Sequence, residues 1–226
     1  MKKIIILPLI LLSVFFLVEI ISAIVIHSNL LVTWWTNHRV SYYPWYLWVA
    51  LGSVVFPLMN KYFVKNMKMV KTFTHELTHA VVAIMLFRRV HWFKAEEGKG
   101  GEIGSSGSDK FHFFEVLAPY CFPIYTFPLM MLRCIIIPDY YPIIDVLIGF
   151  TIGLHFICFK EQTGSFQPDI QRYPLWLSFS FIASMLIFDI SLILTSYLPD
   201  VNFFGAFKTF GIDFWKYTCA IFKAIF

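Results

Sequence analysis

The sequence predicts an all-α protein: a polytopic membrane helix bundle of about six spans, with a short hairpin-like polar insert after the third. Three observations carry this. Hydrophobic residues make up 58% of the chain and charged ones only 14%, where a soluble domain carries about 25% charged residues. Several apolar runs come near or pass the ~20 helical residues needed to cross a bilayer. Lysines and arginines gather at the ends of those runs, where they set topology. The net charge of +4 is therefore read as orientation in a membrane and gives no reason to expect a nucleic-acid partner.

Taken in order, span one is Ile4–Ile26, behind Lys2 and Lys3. It outruns the ~7–15 residues of a signal-peptide core and shows no small-x-small cleavage site, so an uncleaved span with a cytoplasmic N-terminus is expected. The loop "WWTNHRVSYYPW" suits an interfacial aromatic belt. Span two is Trp45–Asn60. Next, "KYFVKNMKMVK" holds Lys61, Lys65, Lys68 and Lys71, the densest basic cluster. The positive-inside rule makes it a cytoplasmic loop, consistent with Lys2 and Lys3 two spans earlier. Span three is Thr72–Phe87.

The most polar stretch follows, "RRVHWFKAEEGKGGEIGSSGSDK". It reads as an extended run, Val90–Ala95, a Gly-rich turn and a second extended piece near Ile103. No GxxxxGK[ST] pattern is present in it, so a phosphate-cradling loop is not supported. Spans four and five are Phe111–Ile137 and Tyr141–Phe159. The fourth is interrupted by Pro119, Pro123 and Pro128 and is expected to be kinked or re-entrant. The polar "KEQTGSFQPDIQRY" leads to span six, Pro174–Leu198. The remaining segment, with Lys208, Lys216 and Lys223 near one helical face, lies in the interface or forms a last span. The organisation expected is 1–71 for the first spans and basic loop, 72–172 for a core, and 173–226 for the rest. Cys121, Cys134, Cys158 and Cys219 form no CxxC pair and read as small core residues.

The chemistry sits in span three. His75-Glu76-Leu77-Thr78-His79 is an HExxH motif. Residues four apart share one helix face, so both imidazoles can grip one metal ion. Glu76, beside the first ligand, is placed to take a proton from water. Zinc suits such a site, because it accepts imidazole and carboxylate ligands and leaves a position for water. Depth adds weight: an ionisable group at the centre of a span costs about 2.5–3.5 kcal/mol on insertion scales. The bland reading is that these residues cap the cytoplasmic end of the span and merely meet water.

An HExxH in a membrane span, followed by a polar insert and further spans, resembles the site-2-protease (M50-like) family of intramembrane zinc metallopeptidases. The likeness covers Thr72 to Ile170 and is nearest to the sporulation-type branch in size. It implies that His75 and His79 ligate zinc, that Glu76 is the general base, and that an aspartate further on completes the site. Asp169 in "FQPDIQ" is the residue selected. This chain departs from the family pattern there, since Pro168-Asp169-Ile170 stands where the family presents an LDG-like stretch after Asn-Pro. Thr78 also replaces the glycine common inside the motif, and "LAPYCFP" matches the family's Gly-Pro element only in part. Glu161 and His155 remain rival third ligands, His155 also as a partner of a ligand or a transition-state donor. Asp145 and Asp189 read as packing or helix–helix groups, His91 and His112 as exposed.

The implied activity is that of a zinc-dependent endopeptidase acting on membrane-protein or transmembrane-peptide substrates in the lipid bilayer, in the plasma membrane of a prokaryote. A metal-binding or metal-transporting membrane protein without protease activity is the alternative, and a catalytically dead scaffold that binds membrane helices is a third.

Overall fold

A computed structural model describes residues 45–96, 100–107, 112–197 and 201–212. The expected first span and its aromatic loop lie outside these residues, as do Lys216 and Lys223. The described chain is mostly helical. In order it forms α1 (Trp45–Tyr62), α2 (Val64–Met85), strands β1 (Arg89–Glu96) and β2 (Gly100–Ser106), and α3 (His112–Leu117). A 3-10 turn (Ala118–Tyr120), α4 (Thr126–Arg133), α5 (Tyr141–Gln162), α6 (Pro168–Gln171), α7 (Leu175–Ser196) and α8 (Phe203–Ile212) follow. Two stretches among the described residues are helical, long and apolar enough to cross a membrane, Pro138–Gln162 and Leu175–Ser196.

One expectation about elements needs correction. The basic cluster is not a loop: α2 starts at Val64 and takes in Lys68 and Lys71. Lysine and methionine are good helix formers, and no glycine or proline interrupts the run. Lys71 is 6% exposed because it has partners. Its ammonium pairs with Glu161 of α5 and donates to Asn60 Oδ1 of α1 at 2.9 Å, while Asn60 Nδ2 donates to Glu161 Oε1 at 2.9 Å. One polar cluster thus ties three helices. The stretch expected as a proline-interrupted span four is indeed broken. It breaks into α3, the 3-10 turn and α4, since Pro119 and Pro123 remove backbone donors that a continuous helix needs.

Helix α1 lies against α5 at glycines. A Cβ on Gly149 would run into the backbone of Val49 and Ser53, and one on Gly153 would lie 2.6 Å from the Ser53 carbonyl oxygen. This close backbone approach is how membrane helices gain packing without a hydrophobic drive between them. The opposite side of α1 exposes Leu47, Leu51, Val54 and Leu58, an apolar stripe.

At its other end, α2 closes with the Arg88 N–H on the Ala83 carbonyl (2.8 Å) and the Phe87 N–H on that of Ile84 (3.0 Å). This is a Schellman motif, with Phe87 at the left-handed position (φ 57) and its side chain almost fully exposed. Strands β1 and β2 pair antiparallel from Arg89↔Ser106 to Glu96↔Gly100, with a register shift between Val90 and Trp92. Both pack on α2.

Pro44–Ile182 forms one compact unit that holds the candidate active site described below. The described residues from Ala183 to Ile212 belong to a second, where Leu192, Tyr197, Phe203 and Ala206 are buried.

Candidate active site

His75 and His79 stand one turn apart on α2, their ring centroids separated by 4.9 Å. Both Nε2 atoms face one carboxylate oxygen, Asp169 Oδ2, at 3.5 Å and 3.4 Å. Asp169 occupies the first turn of α6 behind Pro168. That turn is fixed from below, with Ile170 fully buried and its carbonyl accepting from Ser178 Oγ at 3.1 Å. One ligand atom from each of the three residues lies within 4.8 Å of the others.

These distances can be tested against zinc. Tetrahedral coordination with bonds of ~2.0–2.1 Å separates ligand atoms by about 3.3–3.4 Å. The two nitrogen–oxygen distances, 3.5 Å and 3.4 Å, meet that requirement. The ring protons are arranged for it too. His79 Nδ1 lies 2.8 Å from the Glu115 carbonyl oxygen, an acceptor only, so Nδ1 carries a proton, and in the neutral ring Nε2 keeps its lone pair. His75 Nδ1 faces Gln162 Oε1 at 3.3 Å in the same sense. Tyr120 donates its hydroxyl to Asp169 Oδ2 at 3.3 Å. Burial alone would push the Asp169 carboxyl up, but hydrogen bonds and positive charge from His75 and His79 in their protonated form outweigh it and hold the group well below the usual carboxylate range.

Glu76, 7% exposed, sits under strand β2. A Cβ on Gly101 would lie 2.5 Å from Glu76 Oε1 and 2.6 Å from Cδ, so only glycine lets the strand pass this close. A cavity of about 380 Å³ opens here, lined by Glu76, His79, Asp169, Glu115, Arg172 and strand β2. It is polar enough to hold water beside Glu76, His79 and Asp169.

The rival ligands lie elsewhere. Glu161 is engaged by Lys71 and Asn60. His155 Nε2 is buried with no hydrogen-bond partner among the described residues and does not join the cluster. Asp145 accepts from Arg133 Nε at 2.8 Å. His112, expected to be exposed, is half-buried, lines the cavity and faces Arg172 Nη1 at 3.2 Å. Three groups around the ligands were not singled out from the sequence: Glu115, Gln162 and Tyr120. A glutamate inside the apolar "FHFFEVLAPY" was the available signal for the first.

Residues 47–159, half the chain, match the family model described as Peptidase M50B-like. The match runs from α1 to α5, includes His75, Glu76 and His79, and ends before Asp169. No curated protein and no solved structure matches the chain. A family match across α1 to α5, HExxH included, identifies the chain as a member of the Peptidase M50B-like family of membrane metallopeptidases.

Proposed function

We propose that this protein is a membrane-embedded zinc metalloprotease that hydrolyses peptide bonds in or near transmembrane segments of membrane-protein substrates, as in regulated intramembrane proteolysis. The observation that carries the reading is the convergence of His75 Nε2 and His79 Nε2 on Asp169 Oδ2 at 3.5 Å and 3.4 Å, with Glu76 beside them. His75, His79 and Asp169 would hold the metal. A zinc ion there would supply Lewis acidity, lowering the pKa of a water to about 7 and polarising a peptide carbonyl.

The protein's own residues do the rest. Glu76 accepts a proton from the attacking water as its oxygen bonds to the carbonyl carbon, and returns that proton to the nitrogen as the C–N bond breaks. Burial of Glu76 beneath β2 limits competing solvent. Gln162 and the Glu115 carbonyl keep the imidazoles in the tautomer that offers Nε2. A substrate helix must open locally, because its carbonyls are otherwise sealed in hydrogen bonds. The hairpin can receive the extended segment as an added strand, since β2 lines the cavity and a two-stranded sheet leaves each strand one unpaired edge. The chain is read as multi-pass, with about six spans and a cytoplasmic N-terminus, in a prokaryotic cell membrane.

Glu76→Gln tests this against a metal carrier. Loss of peptide cleavage with full zinc content supports the protease; retained cleavage, or zinc loss, contradicts the assigned role.

A further inference from the structure

Glu115 is a buried glutamate, 4% exposed, on the short helix α3, and its two ends meet different parts of the fold. Its carbonyl oxygen accepts from His79 Nδ1 at 2.8 Å. In an α-helix that carbonyl would be taken by the N–H four residues on. Residue 119 is a proline and has no N–H. Pro119 therefore withholds the helical partner and leaves the carbonyl to the histidine. The carboxylate is anchored separately. Glu115 Oε2 faces Arg88 Nε, 6% exposed, at 2.5 Å, and Oε1 accepts from Ser105 Oγ of β2. Arg88 closes the Schellman turn that ends the helix carrying His79.

We propose that Glu115 and Pro119 are positioning residues for the zinc site: the proline frees the Glu115 carbonyl to orient His79, and the Arg88–Glu115–Ser105 anchor fixes that carbonyl and couples strand β2 to the metal ligand. The inference rests on His79 being a ligand, as read above. It gives "LAPY" a task that reaches two ligands, because Tyr120, the next residue, holds Asp169.

Pro119→Ala restores an N–H that can draw the Glu115 carbonyl into the helix. Removing an outer partner of a metal-bound histidine typically weakens metal affinity by ~10–100-fold. The test uses the full-length protein in detergent or nanodiscs, with zinc affinity from chelator competition and the visible absorption of the Co²⁺-substituted protein. Pro119→Ala is expected to bind zinc at least about tenfold more weakly and to shift the cobalt bands. Pro128→Ala, at an exposed position of α4, is expected to change neither. Ser105→Ala, a milder change, should lower affinity several-fold while folding normally, and keeps the test open if Pro119→Ala does not accumulate.

Wild-type affinity and an unshifted cobalt spectrum in folded Pro119→Ala, or in Ser105→Ala if that is the variant obtained, would overturn the proposal while leaving the zinc site intact. A wild-type protein that binds zinc no better than His79→Ala would instead remove the site reading, and this inference with it.

Discussion

Gly101→Ala asks whether Glu76 acts from the place it occupies. The new Cβ would lie 2.2 Å from Glu76 Cγ, 2.5 Å from Oε1 and 2.6 Å from Cδ. Comfortable contact needs about 3.5 Å, so between about 1 and 1.3 Å must be found. The strand is poorly placed to give it: Gly101 pairs with Ala95 of β1, and both strands pack on α2. The Glu76 side chain can swing at little cost to folding. A misplacement of ~1 Å at a reacting group can cost about 100-fold in rate, within the ~10²–10⁴ that a general base contributes. The expected result is turnover of a transmembrane reporter reduced about 100-fold, with unchanged zinc content and a melting temperature near wild type. Wild-type turnover by folded, zinc-loaded Gly101→Ala would refute the reasoning, because Glu76 would then be working from elsewhere.

Other outcomes follow from contacts away from the chemistry. Gly149→Ala should lower stability by about 1–3 kcal/mol through overpacking, since the obstructing atoms are backbone atoms of Val49 and Ser53. Gly211→Ala, with nothing within 4 Å of its Cβ, should not; thermal unfolding in detergent compares them. Glu161→Ala should destabilise by about 1–3 kcal/mol, less than the ~3–5 of a fully buried pair, because Glu161 is 42% exposed while Lys71 is 7%. Its zinc content should match wild type, and the same preparation supplies both readouts. Phe87→Gly should raise stability by about 1 kcal/mol by relieving the left-handed residue at φ 57. A lower melting temperature would mean that the exposed Phe87 ring contributes more in the membrane than its backbone strain costs.

Local pattern reaches some of this molecule and stops at definite places. The i, i+4 spacing of His75 and His79 is readable because helix geometry alone brings them to one face. The long apolar stretches from Tyr141 and from Pro174 announce themselves by length and hydropathy. The start of α2 does not, because lysines read as a loop until a distant acid is known to accept one of them. Lys71 is 90 residues from Glu161, and no local rule links them. Asp169 was selected through family resemblance rather than from its own surroundings, and only the folded chain brings it within reach of the two imidazoles. Glu115 shows in the sequence only as an acid in an apolar run, while the carbonyl that a proline four residues on sets free leaves no side-chain signature. The prolines in the fourth apolar stretch were visible, but their count could not say whether the helix would kink or break.

Metal analysis of the purified full-length protein beside Asp169→Ala and Glu161→Ala addresses the zinc site most directly. The account predicts zinc in the wild type and in Glu161→Ala, and its loss from Asp169→Ala. Zinc retained by Asp169→Ala but lost from Glu161→Ala would contradict it.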